Sequence, residues 1–353
     1  MDRSLYHRTA WNAQTTRQRA QWLKQLEQQL PSGFVLQRLE SFSRYGQTIE
    51  TGIFTYEDED TEFVYVPGDT VTLGWEQWPL EWDAETQEDL EDGLGGMEME
   101  IDEAGAMVLQ QMSPVRQVHI PPLLVERHTD SVGWHPYDPE QLDPHEDVDL
   151  LERLQSFRAS SHHSLEVDQT CLLERDGEQV NLYLFSDTED VQEWTEQHLA
   201  APFTLPTEDE WEYLYGGGCR TLFPWGDNFD YTMKVKHFGD LANKHTAHHA
   251  DERQQAVPSD STSASPPYDL ELPNAFGLHF AGDPYRYELT LTADGQDIDK
   301  GGDGGSAICG GVGVMLGYLP VATYYRNPYQ DELDWAERMS YMQYRRIVRL
   351  ASS

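Results

Sequence analysis

The hydrophobic runs of this chain are short, change period often and never settle into the strand–helix–strand rhythm that a parallel sheet requires. Residues 15–30 have helical spacing: Thr15 or Thr16 as cap, Trp22, Leu23, Leu26 and Leu30 on one face, and Pro31-Ser32-Gly33 as a stop. Phe63–Val66 and Val71–Gly74 read as strands on either side of Pro67-Gly68. Val115–Val125 reads as a strand pair bent at Pro121-Pro122, and Val148–Phe157 as a helix. After a strand at Val180–Phe185, Ser186-Asp187-Thr188-Glu189 has capping-box spacing for a helix whose apolar face carries Val191, Trp194 and Leu199. A second box, Thr207-Glu208-Asp209-Glu210, opens a helix that buries Trp211, Leu214 and Tyr215 and ends at Gly216. Residues 228–272 are loop-rich, with a surface excursion at 259–267, and no fixed-period repeat occurs. With 353 residues, 10 Trp, 18 Tyr and 12 Phe, the chain has enough apolar mass for a substantial core. The expected fold is α+β, irregular and loop-rich with short antiparallel strands. Residues 1–50 read as an N-terminal helical extension, and 51–353 as one domain with an acidic insertion at about 83–112.

Charge sorts the partners. There are 63 Asp and Glu against 24 Lys and Arg, a formal net charge of −39, and only five of the bases are lysine. Such a chain repels phosphate backbones and anionic lipids, so nucleic-acid and membrane-surface partners are not expected. The 71 residues between Arg44 and Arg116 contain no Lys or Arg and 19 Asp or Glu, densest at 57–60 and 83–103. This stretch reads as a solvated, partly disordered loop; the functional alternative is a docking face for a basic protein partner or a weak cation site.

Three scattered cysteines, Cys171, Cys219 and Cys309, suit neither a disulfide framework nor a Cys-rich zinc site. The N-terminal residues contain no apolar secretory stretch. The longest uncharged run, Gly304–Tyr325, is interrupted by seven Gly or Pro and reads as buried core, not a membrane span. The expected location is the cytoplasm.

Several motifs occur in a telling order: Leu205-Pro206-Thr207-Glu208-Asp209-Glu210-Trp211-Glu212-Tyr213, then Pro224-Trp225-Gly226-Asp227, then Pro273-Asn274-Ala275-Phe276-Gly277-Leu278, then Gly304-Gly305-Ser306. This succession closely resembles the formylglycine-generating enzyme, or sulfatase-modifying factor, family, whose signature runs LPTExEWEY, PWGD, PNxFGL, GGS. Tyr65–Gly74 resembles the family's opening IPGGxFxMG, and Pro114–Val118 its PVHxV strand, so the resemblance covers about residues 60–350 with insertions. It implies a C-type-lectin-like α+β fold. The family includes copper-dependent oxidases that convert a protein cysteine to formylglycine, domains attached to iron-dependent sulfoxide synthases, and relatives whose loops bind ligands, so membership constrains the fold more than the function.

The family's copper site uses two thiolates, soft ligands that hold Cu(I) linearly. The resemblance puts Cys309 on the first of these cysteines and Ser306 on its neighbouring serine; the second falls on Val314, so copper is not expected. The family's calcium loop falls on 279–289, where Gly282 and Glu288 match; Glu288 is a calcium candidate, or the partner of Arg286 or another base. His245, His248 and His249 have metal-ligand residue types in a loop-rich segment, where a solvated polar loop is the alternative. The glycines of 301–317 lack the Lys-Ser/Thr of a phosphate loop and suggest close backbone packing beneath a pocket.

The expectation is a divergent member of this family that binds a small molecule or peptide without making formylglycine. Ser306, Cys309 and Arg326 would surround its pocket, with Trp225 and Tyr325 as walls and Arg326 as anchor for an anionic group. Two alternatives remain: a copper- or iron-dependent oxidase acting on a thiol or peptide through Cys309, and an accessory protein whose acidic insertion docks a basic partner.

Overall fold

The computed structural model describes residues 6–78, 81–238 and 267–350. It is mixed α and β, with strands that pair antiparallel at every junction but one. Among the described residues the α-helices are α1 (Arg8–Asn12), α2 (Thr16–Glu27), α3 (Ala84–Gly95), α4 (Ile101–Gln110), α5 (Val148–Ala159), α6 (Val191–His198), α7 (Glu208–Gly216), α8 (Ser306–Cys309), α9 (Gly313–Gly317) and α10 (Trp335–Met339). The largest sheet runs in the order Phe34–Arg44, Gln47–Tyr56, Thr61–Val66, Leu123–Glu126, Ile347–Arg349, so the last strand closes a sheet begun near the N-terminus. Two four-stranded sheets and the two-stranded ribbon Asp69–Leu73/Arg116–Ile120 complete the β-structure among the described residues. The exception to antiparallel pairing is Tyr287–Leu291 beside Met342–Tyr344, which run parallel.

Helix α2 follows the sequence pattern. Thr15 caps it in a reciprocal box with Gln18, and Trp22, Leu23 and Leu26 are buried. These side chains share one core cluster with Trp11, Phe34, Phe54, Tyr65, Val348 and Leu350. The boundary drawn at residue 50 therefore falls inside a strand, and the N-terminal helices pack on the main sheet. Pro121-Pro122 separates two sheets: the strand before it pairs with 69–73, and the one after enters the main sheet between Thr61–Val66 and Ile347–Arg349.

Two local readings are corrected. The helix after residue 185 is capped by Asp190, which accepts the Glu193 N–H at 2.9 Å, not by Ser186, whose hydroxyl faces Thr188. The acidic insertion is not a loop. Asp83 caps α3 through the Thr86 N–H, and Leu90, Leu94, Ala104 and Val108 stand at helical spacing and are buried in the main core. Charge on the outer faces masked that inner stripe. Residues 259–266 of the expected surface excursion lie outside the described residues. Among the described residues, no helix is long and apolar enough to cross a membrane.

Candidate functional site

Helix α7 is the hub on which the site is built. Its capping box closes both ways: the Thr207 N–H reaches Glu210 at 2.8 Å and the Glu210 N–H reaches the Thr207 hydroxyl at 3.3 Å. Each acid of the motif then takes a base from a distant segment. Glu208 binds both donors of Arg326 at 2.7 and 2.6 Å, Asp209 binds Arg116, and Glu210 binds Arg349 at 2.7 and 2.6 Å. Fully buried Glu212 accepts from Lys300 Nζ at 3.0 Å and from Arg116 at 3.0 Å, and Lys300 also donates to the Tyr325 carbonyl. Burial by itself would raise the Glu208 carboxyl, but the Arg326 hydrogen bond and the charges of Lys300, Arg326 and Arg116 hold it at about 2. Arg326 is thus paired with Glu208, with 41% of its side-chain surface still accessible.

Two carboxylates organise the glycine-rich segment. Buried Asp303 accepts the Gly305 and Ala307 N–H groups, each at 2.9 Å, and the Ser306 hydroxyl bonds the Asp303 carbonyl at 3.0 Å. Gly305, at φ +84°, makes this turn into α8. Asp89 of α3 accepts the Val314 N–H at 3.0 Å, the Met315 N–H at 2.7 Å and the Tyr231 hydroxyl at 2.9 Å. Nearby, a Cβ on Gly93 would sit 2.3 Å from the Val312 carbonyl oxygen, so the α3 backbone lies directly against this segment. Of the glycines in 301–317, Gly302, Gly305 and Gly313 are closely packed, Gly313 against Asp89 of the acidic insertion, whereas Gly304 and Gly311 have open space beside them.

Between these pieces lies a pocket of about 470 Å³. Met97, Met99 and Met107 of the insertion line one side; Ser306, Val312 and Tyr325 are among the residues opposite. Met97 and Met107 form an exposed lip, 46% and 50% accessible. Among the described residues of its wall, the carboxylates are Asp303, held by backbone N–H groups, and exposed Glu332, and no Lys, Arg or His is present.

The expected site residues divide. Ser306 and Tyr325 meet in this pocket. Cys309, on α8 beside the lining residue Gly310, lies outside the wall and is exposed, with its sulfur 2.9 Å from the Tyr285 hydroxyl. That hydrogen bond raises the Tyr285 phenol above its ordinary value. The His237 ring lies 4.8 Å from that of Tyr285, and its Nε2 is 2.8 Å from Asp283. Trp225 lies outside the pocket wall, stacked on Phe223 at 4.6 Å with its indole N–H on the Asn228 carbonyl. Cys219 faces Thr323 and the Thr221 carbonyl, and Val314 is fixed through its backbone to Asp89.

Glu288 is buried and receives two guanidinium nitrogens of Arg345, at 2.8 and 2.9 Å, while the guanidinium lies 4.2 Å over the Phe280 ring. The base pairing with Glu288 is therefore Arg345, not Arg286. His245, His248 and His249 lie outside the described residues. Among the described residues, no group of three or more His, Cys, Asp or Glu side chains is arranged to hold a metal ion. A second, polar cleft of about 750 Å³ is lined in part by His128, His135, Lys236 and His279, with His128 stacked on His279 at 4.3 Å. Burial lowers the basicity of both histidines in that stack.

Sequence reasoning did not single out Met97, Met99, Met107, Asp89 or Tyr285. The methionines had a legible signal, apolar residues alternating with acids near a helical stripe; the pairing of Asp89 and Tyr285 with residues far along the chain had none. Neither a family model nor a curated protein matches the chain.

Proposed function

We propose that this protein is a binding module on a sulfatase-modifying-factor-like, C-type-lectin-like scaffold, without formylglycine-generating activity. It takes an apolar group of a small molecule or peptide into the pocket between α3–α4 and the segment 303–333. One observation carries the reading. The acidic insertion packs its inner face on the scaffold and offers three methionines to a concave apolar space beside Ser306 and Tyr325. Flexible thioethers suit surfaces that adapt to varied apolar ligands. Three free cysteines agree with a reducing, cytoplasmic setting.

The direct test titrates the neutral fluorophore N-phenyl-1-naphthylamine into protein labelled with ¹³C-methyl methionine. Saturable binding that shifts the Met97, Met99 and Met107 methyl signals, and that Met107→Gln weakens, supports the reading. Absence of saturable binding overturns it, as does copper-dependent oxygen consumption with a cysteine peptide.

The exposed Cys309 thiol beside the Tyr285 hydroxyl favours a second reading, a metal-dependent oxidase of a thiol or peptide. Metal analysis after mild purification separates the two. Stoichiometric copper or iron that is lost in Cys309→Ala supports the oxidase.

A further inference from the structure

The occupant of this pocket follows from where the chain places its charges. Many basic side chains are already engaged: Arg116, Lys300, Arg326, Arg338, Arg345, Arg346 and Arg349 all sit in ion pairs with buried or largely buried carboxylates, although Arg326 and Arg349 keep 41% and 37% of their side-chain surface accessible. The insertion has no base of its own, since none occurs between Arg44 and Arg116. Its acids face outward: Glu85, Glu88, Glu91, Asp92, Glu98, Glu100, Asp102 and Glu103 are all exposed. Among the described residues, none of these eight carboxylates has a cationic partner.

These acids border the apolar lip closely. Glu98 and Glu100 alternate with Met97 and Met99, and Glu103 stands one helical turn before Met107 on the same face of α4. Glu332, in the opposite wall, is exposed as well. An apolar floor with an uncompensated acidic rim selects a ligand that is apolar at its centre and cationic at its edges. A second copy of this chain is disfavoured, because both faces would carry the same sign.

Resting on the binding-module reading above, we infer that the pocket receives a basic amphipathic segment of another polypeptide. An apolar side chain of that segment enters between Met97, Met107 and Tyr325, while flanking Lys or Arg meet the carboxylates of α3, α4 and the 96–100 connection. The apolar contact supplies residence, and the acidic rim supplies attraction and selectivity.

The probe is a synthetic 16-residue amphipathic peptide of leucine and lysine, with two twins in which every lysine is glutamine or glutamate. Binding to the full chain is measured by fluorescence anisotropy at 50 and 300 mM NaCl. The lysine peptide is expected to bind at least tenfold more tightly than the glutamine twin and to weaken at least fivefold at the higher salt. The glutamate twin should not bind. Met97→Gln/Met107→Gln, both at exposed positions, should weaken the lysine peptide at least fivefold. Glu91→Gln/Glu98→Gln/Asp102→Asn/Glu332→Gln should weaken it about tenfold and leave the glutamine twin unchanged. Equal, salt-insensitive binding of the lysine and glutamine peptides overturns this inference and leaves the apolar pocket standing. Lysine-peptide binding that ignores the methionine variant also overturns it, since the attraction is then diffuse charge alone. If neither a peptide nor the naphthylamine binds, both readings fall.

Discussion

The Asp89 carboxylate accepts the Tyr231 hydroxyl at 2.9 Å and, on the same two oxygens, the N–H groups of Val314 and Met315 at the start of α9. One acid of a strongly acidic helix is thereby turned inward and holds the insertion to the glycine-rich segment. Its neighbours Glu88, Glu91 and Asp92 remain in solvent.

Asp89→Ala should therefore loosen the whole pocket wall. It leaves two backbone donors and one phenol without their acceptor, at a cost of about 2–4 kcal/mol. Chemical denaturation should show the lowered stability, and limited proteolysis should show new cleavage within residues 84–110. The Asp89→Asn variant keeps one good acceptor and should fall between the two.

Glycines of α3 separate packing from helix propensity. In Gly93→Ala the new Cβ meets the Val312 carbonyl at 2.3 Å, so α3 and the 312–314 backbone must move apart. A loss of about 1–3 kcal/mol is expected, together with weakened naphthylamine binding. Gly95→Ala has open space around its Cβ. It should be neutral or stabilising by about 0.5–1 kcal/mol. Thermal unfolding of the pair distinguishes the two effects.

The buried pair Glu288–Arg345 gives a charge test. Glu288→Gln leaves a fully buried guanidinium without its counter-ion and should cost about 3–5 kcal/mol in denaturant unfolding. Glu288→Leu/Arg345→Met removes both charges and should recover much of that loss. Equal instability of the single and double variants would show that the cost lies in packing against Phe280.

Acid should weaken the fold through Glu208. Its folded value, about 2, lies below the ordinary carboxylate value of about 4.3. Between these limits the unfolded chain binds the extra proton, so stability rises with pH up to about 4.5 and is lost as pH falls toward 2. The contribution is about 3 kcal/mol, and Glu208→Gln should flatten this limb of the stability–pH curve. Asp299 acts with opposite sign. Burial raises it to about 6 against the pull of Arg338, so its ionisation between about pH 4 and 6 favours the unfolded chain. Asp299→Asn should reduce that decline in stability.

Much of the local structure was legible because its causes are local. Thr15 with Gln18 and Thr207 with Glu210 are reciprocal caps closed within four residues, and both helices begin where those spacings place them. The strand at 180–185 and the break at Pro121-Pro122 likewise rest on side-chain alternation and a missing N–H donor. The box at 186–189 had the same spacing and was displaced, because Asp190 supplied a cap one turn nearer to Trp194. Within the insertion, the apolar stripe Leu90, Leu94, Ala104, Val108 was in the sequence, diluted by 19 acids spread over its surroundings.

The sequence by itself determined the α+β character, the two well-capped helices and a formal net charge of −39. Tertiary structure alone decided which base each acid of α7 receives, that Arg326 faces Glu208, that Glu288 faces Arg345, and that the acidic segment forms a wall of the pocket. The reason lies in range. A cap or a strand pattern is written within a few residues, whereas Glu208 and Arg326 are 118 positions apart and Asp89 and Met315 are 226 apart. Nothing in either neighbourhood names its partner. Only folding the chain brings them together and leaves the remaining acids in solvent.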